Sequence, residues 1–189
     1  AAIDRIEEIN TSRVLDAFQR CEVALRHFEP TSGYGYDDAG RDTLDALFTR
    51  LFGTEAALVR PQFASGTHTL SACLFGVLRP GDHLLAATGT PYDTLLGVIG
   101  AGAGDPPPCS LREMRVSYSE VALTDDGGID LPAIRAAMRP ETRLVIAQRS
   151  RGYAMRRALM PEDFAPLADM LHREFPHAAL MVDNCYGEF

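Results

Sequence analysis

Three short stretches place small, aromatic or acidic residues where an apolar run gives way to polar ones. In Phe63-Ala64-Ser65-Gly66-Thr67-His68-Thr69 a small-residue turn leads into a helical pattern. Backbone N–H groups and the positive end of a helix can meet a phosphate there, with Gly66 permitting close approach and Ser65 and Thr67 offering hydroxyls. The same residue types also make ordinary helix caps. In Thr90-Pro91-Tyr92-Asp93-Thr94 an aromatic follows a candidate strand. Its ring could stack on a flat ligand and its hydroxyl move a proton, or the ring could simply pack over a loop. In Val182-Asp183-Asn184 an apolar run delivers a carboxylate. At the carboxyl edge of a parallel sheet such a group can hydrogen-bond a protonated ring nitrogen, although a cap or a structural aspartate would look the same. A fourth stretch, Gln148-Arg149-Ser150-Arg151, ends another apolar run and could contact a ligand oxygen or carboxylate, or form a solvated basic turn. The first three stretches all fall at strand ends, and their joint occurrence points to one site.

Other chemistries lose support. The turn at 63–69 has neither the GxxxxGK[ST] of a nucleotide loop nor the GxSxG of a hydrolase elbow. The series Gly100, Gly102, Gly104 fails GxGxxG because Asp105 stands in the third glycine's place and prolines follow.

The elements that must position these residues follow from hydrophobic patterning. Short apolar runs at 56–60, 83–88, 114–118, 143–148 and 178–183 read as strands. Between them lie helical patterns at 67–78, 92–100, 130–138 and 161–175, with Pro132 and Pro161 opening the last two. That alternation predicts an α/β fold with a mostly parallel sheet and helices on both faces. Before it, Val14, Leu15, Phe18, Cys21, Leu25 and Phe28 predict a helix over 12–28, and a second is expected over 39–52, closed by Gly53. The segments between 28 and 41 and between 100 and 110 read as loops, and no internal repeat is found.

Composition bounds the partners. The 189 residues carry a formal charge of -8 with no basic stripe, which argues against nucleic acid. No apolar run reaches the about 20 residues of a membrane span, and no secretion signal opens the chain, so a cytoplasmic protein is expected. Cys21, Cys73, Cys109 and Cys185 form no CxxC pair, and no metal site is expected. All 18 basic side chains are arginine; there is no lysine. The sequence breaks off just as an apolar run turns polar, so it is read as an N-terminal portion of a longer polypeptide.

Taken together, GYGYDDAGRDTLD, VRPQFASGTHTLSACLFGVLRPGD, GTPYDTLLGVIG, QRSRGYAMRRAL and VDNCYGEF resemble successive blocks of the methionine gamma-lyase-like family of fold type I enzymes, often labelled aluminium resistance proteins. The likeness runs from about Phe28 to the last residue. It implies a PLP-dependent transferase-like large domain over 55–189, preceded by an N-terminal helical arm and inter-subunit loop over 1–54, in a homodimer or homotetramer. It also implies that pyridoxal 5'-phosphate (PLP) is bound at Ser65, Gly66 and Thr67 through its phosphate, stacks on Tyr92, and pairs its ring nitrogen with Asp183. Tyr36 would reach the phosphate of a neighbouring subunit. Tyr92 and Asp183 would take part in catalysis. The Schiff-base lysine of such enzymes would lie beyond Phe189, since an arginine stays protonated and cannot replace it. The implied reaction is carbon–sulfur lysis of a sulfur-containing amino acid. Transamination on the same scaffold, or a non-catalytic relative without lysine, are the alternatives.

Overall fold

The computed structural model describes residues 2–32, 34, 36 and 38–187, which form two compact units, one up to residue 63 and the other from residue 64 onward.

The first unit is helical. Helix α1 (Ala2–Arg20) begins ten residues before the predicted start and ends eight before the predicted end. It stops because Glu22 adopts a left-handed backbone (φ 49°), and the Val23 N–H turns back to the Phe18 carbonyl at 3.1 Å. Leu25 and Phe28, predicted on the same helix, lie instead on a separate 3₁₀ turn (Leu25–Phe28). Helix α2 (Ala39–Phe52) matches its prediction: Asp38 caps it by accepting the Arg41 N–H, and Gly53 closes it at φ 64°. The predicted strand at 56–60 does not form. No strand among the described residues pairs with it, and its Val59 N–H goes to the Asp45 carboxylate at 2.8 Å, which also holds Arg60 at 2.7 Å.

The second unit is a parallel sheet between two helical layers. Its elements in chain order are α3 (Gly66–Val77), β1 (His83–Ala86), α4 (Asp93–Ile99), β2 (Ser117–Glu120), α5 (Leu131–Ala137), β3 (Thr142–Gln148), α6 (Pro161–Glu174) and β4 (Ala179–Asp183). Strand β2 starts later than predicted because Arg115, at φ 64°, closes a turn in which the Val116 N–H bonds the Leu111 carbonyl. Every pairing is parallel, in the order β2-β1-β3-β4.

The two-residue period of the strands explains the layering. Leu84, Ala86, Leu144 and Ile146 pack on one face with Leu74 of α3 and Leu95 and Ile99 of α4. Leu85, Ala87, Val145 and Ala147 pack on the other with Ile134 of α5 and Phe164, Leu167 and Met170 of α6. Strands apolar on both faces belong in a sheet covered on both sides, so the parallel sheet with helices on both faces predicted from the sequence is what forms.

The strand order also locates a cleft. From β1 the chain crosses to β2 on one side, then returns past β1 to lay down β3 and β4 on the other. Where that direction reverses, between β1 and β3, the connections diverge and leave a crevice at the carboxyl ends of the strands.

Candidate functional site

Register carries the chemistry to this crevice. Gln148 pairs with Asp183 at the ends of β3 and β4. Both share the parity of Ile146 and Met181, which places them on the face covered by α3 and α4. The N-termini of those two helices supply Gly66, Thr67 and Tyr92. A cavity of about 200 Å³ is lined by Gly66, Thr67, Tyr92, Thr94, Gln148, Asp183, Cys185 and Tyr186, with Leu70, Leu95, Ser150 and Gly152. The structure thus brings together six of the residues given a possible role in the sequence: Gly66, Thr67, Tyr92, Gln148, Ser150 and Asp183.

Ser65 flanks them as the N-cap of α3. Its backbone is extended (φ −162°, ψ 165°), and its Oγ accepts the His68 N–H at 3.1 Å. The hydroxyl is therefore committed to the helix, and the amides of Gly66 and Thr67 head the first turn, where N–H groups have no intrahelical partner. A side chain at Gly66 would meet only Cys185 Sγ, 3.7 Å from its Cβ, so the space a glycine leaves there is cavity. The Thr67 hydroxyl lies 2.7 Å from that of Thr94, which ties the start of α3 to the start of α4.

Tyr92 is the N-cap of α4 and is held twice. Its N–H donates to Gln148 Oε1 at 2.9 Å, and its hydroxyl lies 3.0 Å from that of Tyr153. The two rings stack at 5.6 Å with an interplanar angle of 27°. The hydrogen bond to Tyr153, aided by the charge of nearby Asp93, pushes the Tyr92 phenol up to about 12, so it stays protonated near neutral pH.

Asp183 is buried, with 7% of its surface exposed, and its Oδ1 accepts the Cys185 N–H at 3.1 Å. Its position at the strand end and its lining of the cavity separate it from a helix-capping aspartate.

The basic stretch after β3 divides by role. Arg149 donates to the Leu159 carbonyl, Asn184 Oδ1 and the Gly187 carbonyl, so it fastens the exit of β4 rather than facing a ligand. Gln148 Nε2 donates to the Ser150 carbonyl at 3.1 Å, and Arg156 donates to the same oxygen at 2.6 Å. Tyr36 belongs to the first unit and is 83% exposed.

Sequence reading missed Tyr153 and Cys185 and used Thr94 only as a neighbour of Tyr92. Gly152, four residues after the end of β3, was the one hint of the turn that carries Tyr153. Larger cavities of about 340 and 420 Å³ lie elsewhere, but they do not gather strand ends. In the first of them Asp38 is already bound to Thr31 and Arg41. Among the described residues no cluster of acidic, cysteine or histidine side chains could hold a metal, and no helix is long and apolar enough to cross a membrane.

Comparison with known proteins identifies the family. The sequence matches the family described as methionine gamma-lyase over residues 1–189. It is 46% identical over 187 residues to the uncharacterized protein YnbB of Bacillus subtilis (strain 168), covering 99% of this chain and 44% of that one. It is 28% identical over 155 residues to the L-methionine gamma-lyase of Pseudomonas putida, covering 82% of this chain and 34% of that enzyme. Among solved structures it is similar to a carbon–sulfur lyase involved in aluminium resistance from Clostridium novyi NT, with a TM-score of 0.92 and 44% identity, covering 99% of this chain and 44% of that one. The chain thus spans less than half the length of these relatives. Its fold is the large-domain architecture of fold type I enzymes, and the chain belongs to the methionine gamma-lyase family.

Proposed function

We propose that the chain provides the cofactor-binding floor of a PLP-dependent carbon–sulfur lyase acting on a sulfur-containing amino acid. The observation that carries this reading is the convergence, in one crevice, of a buried strand-end carboxylate, a helix head with a glycine opening and a held tyrosine ring. That donor set fits PLP: the amides of Gly66 and Thr67 suit a dianionic phosphate, the ring of Tyr92 suits a flat heteroaromatic, and Asp183 suits a protonated pyridine nitrogen. When bound, PLP supplies an electron-accepting ring for the carbanion of an amino acid substrate.

The chain's own residues do the rest. Asp183 holds a proton on the ring nitrogen, and its burial strengthens that pairing. Tyr92, protonated near neutral pH, positions the ring and offers a proton at its hydroxyl. Gln148 fixes the Tyr92 backbone, and Thr67 with Thr94 locks the two helix heads together. Leu70 and Leu95 line the cavity and limit water.

Because this chain has no lysine, the covalent anchor is assigned to the part of the relatives' length that it does not span. Tyr36 is assigned to the phosphate of a neighbouring subunit in a dimer or tetramer. The name of the Pseudomonas putida relative and the carbon–sulfur lyase named in the Clostridium novyi structure support the reaction class.

The test is the intact mass of the complete polypeptide after borohydride reduction with PLP, followed by assay of thiol release from methionine, cystathionine and cysteine. One covalent cofactor and a released thiol are expected. A bound cofactor that passes to its amine form without thiol release would assign transamination, and absence of any adduct would overturn the enzyme reading.

A further inference from the structure

We propose that Tyr153 is a positioning residue that fixes the ring and hydroxyl of Tyr92 at the mouth of the cavity, an assignment that rests on the cofactor reading above. Tyr153 is not among the residues that line the cavity, so it acts on Tyr92 and not on the bound ring. Two contacts join the phenols, the 3.0 Å hydroxyl pair and the 5.6 Å ring stack. An exposed aromatic pair of this kind holds its geometry only if both backbones are fixed.

One side chain fixes both. Gln148 Oε1 takes the Tyr92 N–H, while its Nε2 holds the Ser150 carbonyl, which Arg156 also grips. From Ser150 the chain turns through Gly152, at φ 56°, and the Ala154 N–H closes on the Arg151 carbonyl at 3.0 Å. This tight turn presents Tyr153, itself 83% exposed, to Tyr92. The chemistry agrees: a phenol stacked and hydrogen-bonded to a second phenol keeps its proton, and the groups that face Tyr92 are Tyr153, Asp93 and Tyr186.

The experiment uses the complete polypeptide as wild type, Tyr153→Phe, Tyr153→Ala and Tyr92→Phe. In the cofactor-free protein, ultraviolet difference titration should show two late-ionising phenols in wild type, Tyr92 and Tyr118, the second held up by burial and its hydrogen bond to Glu120. The Tyr118 phenol should persist in every variant, whereas the Tyr92 phenol should be absent from Y92F and should return toward the ordinary value of about 10 in Y153F. With PLP, its affinity should fall about two- to threefold in Y153F and about tenfold in Y153A, with a changed circular dichroism band of the bound cofactor, the size expected for losing one hydroxyl contact and then one aromatic pair. Unchanged phenol ionisation in Y153F overturns the assignment, as does wild-type PLP affinity and dichroism in Y153A. Failure of wild type to bind PLP overturns the cofactor reading instead, and Tyr153 then loses its assigned role toward a cofactor even where the phenols prove coupled.

Discussion

The two ends of the same sheet use polar residues in opposite ways. At the amino end, His83 is completely buried on β1, with Nδ1 2.8 Å from the Thr142 hydroxyl of β3 and Nε2 2.8 Å from the Ser119 hydroxyl of β2. Both ring nitrogens are used, and three strands are pinned by one side chain. At the carboxyl end Asp183 is nearly as buried, yet the only donor it meets among the described residues is the Cys185 N–H, and it borders an open cavity. A polar group whose capacity is filled by its own protein holds the fold; one left partly unmet beside a cavity is equipped to hold something else.

This contrast is sharpest in the response to mutation. Asp183→Ala in the complete polypeptide should lower thiol release by on the order of a hundredfold or more, through loss of the charge that stabilises the ring nitrogen. The melting temperature should barely move, because only one hydrogen bond is given up. Turnover near wild type in that variant would break the contrast at its functional end. His83→Leu should do the reverse. Removing the ring takes a partner from the buried Thr142 hydroxyl and from the half-buried Ser119 hydroxyl, at a cost of about 2–4 kcal/mol in denaturant unfolding, while the PLP affinity of the folded molecules stays unchanged.

The histidine also gives the amino end a pH signature. Burial, aided by the nearby Arg139, holds the His83 imidazole below its usual range, so the folded state favours the neutral ring. In the window between the depressed folded value and the ordinary value of about 6.5, the unfolded chain binds more protons. Stability from this group is therefore full above about pH 6.5 and is lost as pH falls below it. Chemical denaturation at pH 7.5 and pH 5.5 should show a decline in wild type that is smaller in His83→Leu. An equal decline in both would place the acid sensitivity elsewhere.

How much of this could be read from residues alone depended on range. Asp183, Tyr92 and the Ser65-Gly66-Thr67 turn were legible because each sits at a local boundary where an apolar run meets a turn. The sheet's two-faced burial was legible because Leu84, Leu85, Ala86 and Ala87 leave no polar alternation to face water. The strand at 56–60 was misread because apolar residues promise a strand only where a neighbouring strand accepts their ladder, and Asp45 took that role instead. The early start of α1 was missed because Ile3, Ile6 and Ile9 remain exposed among acids, so no buried face announces the helix. Tyr153 was beyond reach because its partner is 61 residues away and meets it only through a left-handed glycine turn.

Asp163 tests whether position or satisfaction separates the two ends. It lies in the first turn of α6, the helix that leaves β3 at the carboxyl end of the sheet, so by location it belongs with the functional residues. Yet its carboxylate is filled: Arg157 donates to both oxygens at 2.6 and 2.8 Å, and the Met160 N–H donates at 2.7 Å. The Arg157 hydrogen bond, with that N–H, holds the carboxyl down at about 2. A folded value below the ordinary one means the contribution is present above about pH 4 and lost as pH falls toward 2. Solvent reaches both partners, with side-chain exposures of 47% and 23%, so screening limits the pair to roughly 0.5–1 kcal/mol. Asp163→Asn should therefore cost less than either change above, flatten stability between pH 4 and 2.5, and leave PLP affinity untouched. A drop in PLP affinity of severalfold would mean that the whole carboxyl end acts as one unit. An effect confined to acid stability would mean that function at this edge belongs only to groups whose hydrogen-bonding capacity the protein leaves open.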